Sequence, residues 1–107
     1  MAIQKHQIPL LKQLRSCKNI TKRRALLERG GNAIQAMLRE IAYNLLKGNL
    51  KLTKKQLSNL KKHKKAVRVV ASKKPSIKRR IKLEQRGGFL SALLTPVLTA
   101  LAGSILG

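Results

Sequence analysis

Acidic residues are almost missing from this 107-residue chain: Glu28, Glu40 and Glu84 stand against 25 lysines and arginines, a formal net charge of +22. Three carboxylates cannot neutralise one basic cluster, and no two sit together for acid–base catalysis. Aromatics are limited to Tyr43 and Phe89, with no tryptophan, which argues against modules that stack bases on several aromatic platforms. The single cysteine, Cys17, excludes an internal disulfide and a cysteine-based zinc site; among Leu10, Leu14 and Ile20 it reads as a small core residue. His6 and His63 are far apart, and Lys62, Lys64 and Lys65 around His63 would repel a metal cation. The glycines do not form a phosphate-binding loop of the P-loop or dinucleotide type. Lys5, His6, Lys12 and Arg15 interrupt every candidate for the apolar run of a secretory signal. The expectation is a protein that is not an enzyme and uses no cofactor or metal.

What the chain has is positive charge, which opposes compaction and gains from a polyanion. Duplex DNA carries one charge per about 1.7 Å of axis, so the excess matches roughly 37 Å, or about 11 base pairs. The charge is unevenly spread, and three segments follow. Residues 1–46 hold 9 basic and 2 acidic residues within apolar periodicity. Residues 47–88 form a highly basic region with 16 lysines and arginines and only Glu84 as an acid. Residues 89–107 carry no charge. Such asymmetry suggests separate tasks along one chain.

Helical signals run throughout. Ile8, Leu11 and Leu14 make a short apolar face behind Pro9. Thr21 reads as the N-cap of a helix closed by Gly30 and Gly31. Asn32 can cap the next, where Ile34, Met37, Leu38, Ile41, Ala42 and Leu45 share one face and Gly48 ends it. Thr53 caps a long helix over about Lys54–Ala71, with Leu57, Leu60 and Val67 as its packing seam against the Asn32–Lys47 helix. Lys73-Lys74-Pro75 breaks it, and Ser76 caps a last basic helix, Ile77 to about Gln85. No strand-like alternation of useful length appears. The predicted fold class is all-α: a small helical hairpin or bundle with basic helices and an apolar C-terminal helix, partly disordered when free.

The residues expected to meet phosphates lie on the two basic helices and the link between them. They are Lys54, Lys55, Lys61, Lys62, Lys64, Lys65 and Arg68, then Lys73 and Lys74, then Lys78, Arg79, Arg80 and Lys82. A solvated helix face ordinarily mixes signs, whereas no acid occurs from Gln56 to Leu83. A narrow packing seam and a broad cationic face suit a helix that docks on a bundle one side and on phosphates the other. Lys78-Arg79-Arg80 and Lys22-Arg23-Arg24 also have the character of nuclear-import patches.

The uncharged tail, FLSALLTPVLTALAGSILG, would span about 28 Å as a helix, close to a bilayer core of roughly 30 Å. Pro96 would kink it, and Ser91, Thr95, Thr99 and Ser104 lower its hydrophobicity. Apolar character on all sides sets it apart from an ordinary bundle helix, and it is expected to seek a membrane. At its junction stands Gln85-Arg86-Gly87-Gly88-Phe89.

A basic run, then Arg-Gly-Gly, then a Leu/Pro/Ala-rich tail resembles the precursor of the adenovirus core protein X (the mu precursor). Over most of the chain the likeness is to the X-like proteins of adintoviruses, animal virus-like elements of the Maverick/Polinton type. The resemblance implies a core protein that condenses packaged DNA. It also implies cleavage by a viral cysteine protease after Gly88, with Gln85, Arg86, Gly87 and Gly88 at P4 to P1 and Phe89 following. Glu28-Arg29-Gly30-Gly31 has Glu at P4, departs from that pattern, and reads as a helix terminator.

The expected function is therefore sequence-independent binding and condensation of double-stranded DNA by a viral core-type protein, in the virion core and host nucleus. Its tail would be released or associated with a membrane. The alternative from another class is a membrane-anchored or membrane-active cationic protein that binds anionic lipid; RNA packing is a third possibility.

Overall fold

The structure, a computed structural model, describes residues 5–86 and 88–106, with side chains through Ala100. A short 3₁₀ turn (Lys5–Gln7) leads into α1 (Ile8–Ser16), α2 (Ile20–Leu46), α3 (Lys54–Lys62), α4 (Lys64–Ala71), α5 (Ile77–Glu84) and α6 (Phe89–Leu106). There is no strand among the described residues, and the fold is all-α.

Local chemistry sets most of the helix ends. Pro9 sits in the first turn of α1, where a missing N–H is harmless. The cap of α2 is Asn19 rather than Thr21: its Oδ1 accepts from the N–H groups of Thr21 (2.9 Å) and Lys22 (3.1 Å). Asparagine outranks threonine at this position, and the Arg23 guanidinium, donating to the Cys17 carbonyl at 2.9 and 3.2 Å, holds the turn that presents it.

The glycine pair divides α2 as expected. Gly31 has φ 52° and ψ −136°, a conformation that a side chain strongly disfavours. A Cβ on Gly30 would meet the Ile34 side chain at 1.9 Å. Past the helix end Gly48 adopts φ 74°, with Gly48 N–H donating to Leu45 O and Asn49 N–H to Asn44 O, the paired bonds of a Schellman cap. Thr53 and Gln56 form a reciprocal capping box at the start of α3. Ser76 Oγ accepts from Arg79 N–H at α5.

The predicted helix over residues 54–71 is two helices. His63, at φ −112° and ψ 18°, separates α3 from α4, and its N–H turns back to Leu60 O at 3.0 Å. No glycine or proline marks the break. Packing explains it: α3 lies on α6 whereas α4 lies on α2. The His63 ring meets the Phe89 ring edge-on at 5.9 Å and 81°, filling the corner. In the seam Leu60 and Val67 are buried as expected, but Leu57 is 43% exposed.

The tail is part of the bundle. Phe89, Leu90, Leu93, Leu94, Val97 and Leu98 are buried in the same core as Leu11, Leu14, Leu38, Ile41 and Val67. α6 packs against α1, α2, α3 and α5, at the centre of the bundle. A helix that is apolar nearly all round belongs either inside a protein or in a bilayer, and these side chains take the first course. Its solvent edge carries Ser91 and Thr99, with Thr95 half-buried between them: hydroxyls every fourth residue, on one face. Among the described residues no helix is long and apolar enough to cross a membrane.

Candidate nucleic-acid interface

Twelve of the thirteen cations singled out above reach solvent: Lys54, Lys55, Lys61, Lys62, Lys64, Lys65, Arg68, Lys73, Lys74, Lys78, Arg79 and Lys82 are all exposed. The break at His63 shapes the densest part. It folds the end of α3 back on the start of α4, so that Lys61, Lys62, Lys64, Lys65 and Arg68 surround a shallow hollow of about 460 Å³, with His63 and Phe89 also on its walls. Arg86, from beyond α5, joins the same rim. No acid lines it. Arg68 is shared with a second hollow of about 350 Å³, which gathers Lys74 and Arg79 around Ser72 and Pro75. Cationic side chains thus follow one another from the end of α3 to the start of α5.

The remaining residues stand elsewhere. Lys78 and Lys82 face a different hollow with Arg24, where Glu28 is already paired to Arg24 at 2.9 Å. Lys54 and Lys55 open α3, about 11–12 Å along the helix from Lys62. Three cations outside the original set extend the band: Arg86 also borders a hollow of about 220 Å³ with Arg15 and Lys18 from the α1–α2 turn. Their scatter in sequence hid them; only the bundle brings them to one rim.

Arg80 does not belong to this surface. It is 4% exposed, and its guanidinium donates to Val70 O at 2.6 Å, closing an open carbonyl at the end of α4, and to Pro75 O at 3.3 Å in the turn that follows. Burial lowers its pKa from the ordinary arginine value, Glu84 opposing that effect and Arg39 adding to it. Arg23 is likewise occupied, donating to the carbonyls of Cys17 and Gln85. Both arginines tie elements together, Arg80 from inside the core and Arg23 from the wall of the hollow it shares with Arg15, Lys18 and Arg86. Sequence charge alone cannot make that distinction.

Of the two aromatics one is buried, and the other, Tyr43, is 50% exposed but lies on α2 outside the cationic hollows. Phe89 is 1% exposed, and Lys47 Nζ lies 5.4 Å from the Tyr43 ring centroid, over one of its faces. Among the described residues no group of three His, Cys, Asp or Glu side chains comes together to hold a metal ion. At the junction, Gln85 ends α5, Arg86 and Gly88 are exposed, and Phe89 starts α6 with its N–H on Arg86 O at 3.2 Å. Gly87 lies outside the described residues. Gly88 lies in a turn at φ 81°, and the bond after it leads straight into the core.

Comparison with protein-family models, with curated proteins and with solved structures finds no match to this chain.

Proposed function

We propose that this chain is a non-enzymatic binder of double-stranded DNA that engages the phosphate backbone without sequence preference, and that it serves as a viral core-type protein. The observation that carries the reading is the uninterrupted cationic rim from Lys61 to Arg79. It offers lysine ammonium groups as mobile phosphate partners and few groups suited to base edges. The +22 charge favours a partner that neutralises it. A role in condensing a packaged genome, in a virion core and host nucleus, rests on the resemblance to the adintovirus and adenovirus core proteins.

Processing after Gly88 is part of the same proposal, with a consequence drawn from packing. Phe89 to Leu98 is core, so a cut there leaves a nicked bundle, and the tail leaves only if the bundle opens. Anionic lipid presents phosphate charge too, and the test must separate it from DNA. Titrations of the whole protein with duplex DNA and with phosphatidylserine vesicles, across a salt series, do so. Tighter binding to duplex, indifferent to its sequence, supports the reading; vesicle binding that exceeds duplex binding at equal phosphate replaces it with the membrane alternative.

A further inference from the structure

The single acid of the basic region is not on its surface. Glu84, in the last turn of α5, is 0% exposed, and Gln35 on α2 is 5% exposed. Gln35 Nε2 donates to Glu84 Oε1 at 2.7 Å. Two buried side-chain oxygens are then left without a partner among the described residues, and they are the other atoms of the same pair: Gln35 Oε1 and Glu84 Oε2. A carboxylate is an acceptor only, so the ionised form leaves both oxygens unsatisfied. Two orphaned acceptors away from water are costly.

One proton answers both. A carboxylic acid and a primary amide are complementary: each offers one donor and one acceptor, and face to face they close an eight-membered ring of two hydrogen bonds. One of those bonds is already present. We propose that Glu84 is carried as the neutral acid, its Oε2–H donating to Gln35 Oε1, and that this proton latches α5 onto α2. When it passes to water the ring opens, a buried carboxylate remains, and α5 loosens. α5 carries Lys78, Arg79 and Lys82, so the latch decides how rigidly part of the basic surface is presented.

The charged surroundings are few. On α5 itself Arg80 favours the carboxylate by its charge, while its Nε and Nη1 donate to Pro75 O and Val70 O. On α2, Gln35 is neutral and Arg39 is the cation that acts on Arg80. α4 presents the Val70 carbonyl, its lysines and Arg68 being exposed. The segment from Phe89 onward has no ionisable side chain. Burial outweighs the Gln35 hydrogen bond and Arg80, pushing the Glu84 carboxyl up to about 7, which would put the latch within the physiological range.

The chain has three glutamates and no aspartate, so carbon-13 NMR of the side-chain carboxyls of the full-length protein resolves the matter. Between pH 5 and 9 the Glu84 signal should stay at its protonated position until close to neutrality. Amide exchange across Ile77–Glu84 should lose at least tenfold protection over the same range, beyond the ordinary base-catalysed rise, while residues 32–46 hold theirs. Glu84→Gln keeps a donor and an acceptor facing Gln35 and should make that protection independent of pH. A Glu84 signal already ionised at pH 5, or a titration that leaves α5 exchange unchanged, overturns the proposal. Should the variant not fold, the wild-type titration still decides.

Discussion

α6 and the α3–α5 region are the two most one-sided stretches of the chain, and the bundle treats them in opposite ways. α6 has no charge, and its buried side chains fill the core. The α3–α5 region puts twelve of its cations in solvent and keeps Arg80 and Glu84 inside. The cationic shell exists as a shaped surface because α6 gives α1, α2, α3 and α5 something apolar to close on. Composition suggests two separable modules. Packing makes one depend on the other.

Removing the tail attacks this dependence most severely. Each of the six large apolar side chains buried on α6 contributes roughly 1.5–3 kcal/mol, so together they rival the roughly 5–15 kcal/mol of net stability of a whole domain. A chain ending at Gly88 is predicted to lose cooperative thermal unfolding by circular dichroism in the absence of DNA. A sharp melting transition in that truncation would show that the basic region folds by itself. A finer cut compares faces of α6. Leu93→Ala should cost about 2–5 kcal/mol in denaturant unfolding, whereas Ser91→Ala should stay within about 0.5.

The buried acid gives the comparison a pH dependence. The folded pKa of Glu84, about 7, lies above the ordinary value of 4.5, so the folded state binds the extra proton between those values. The contribution of this group to stability is then fully present below about pH 4.5 and is lost as pH rises through 7, a few kcal/mol at most. Urea unfolding at pH 5 and pH 8 should show that loss, and Glu84→Gln should remove most of it. The two neighbouring arginines of α5 sharpen the contrast further. Arg80→Gln should destabilise by about 1–3 kcal/mol through the opened carbonyls of Val70 and Pro75. Arg79→Gln should leave stability nearly unchanged and lower the salt dependence of DNA binding by about one unit.

How much of this was legible beforehand divides by range. Pro9, the glycine pair at 30 and 31, Gly48, Thr53 and Ser76 act within a turn of themselves, and the sequence reading located each of them. The stripe of Ile34, Met37, Leu38, Ile41 and Leu45 was equally plain, because period and burial agree. The His63 break escaped because it follows from two helices leaning on different partners, with no local breaker. Arg80 and Arg23 looked like their neighbours because charge in sequence does not say which guanidinium will find open carbonyls. The burial of α6 was partly readable: Ser91, Thr95 and Thr99, four residues apart, draw a single wet edge on an otherwise dry helix. The message is in their spacing, not in their number.

The phosphate-binding claim is tested most directly by the salt dependence of affinity for duplex DNA, measured by fluorescence anisotropy with two unrelated sequences. With about ten phosphates engaged, log K should fall against log salt with a slope near −9 and agree between the two duplexes. Replacing Lys61, Lys62, Lys64 and Lys65 together by Gln should flatten that slope by about three to four units. A slope near zero, a marked preference for one sequence, or a fourfold variant indistinguishable from wild type would contradict the account.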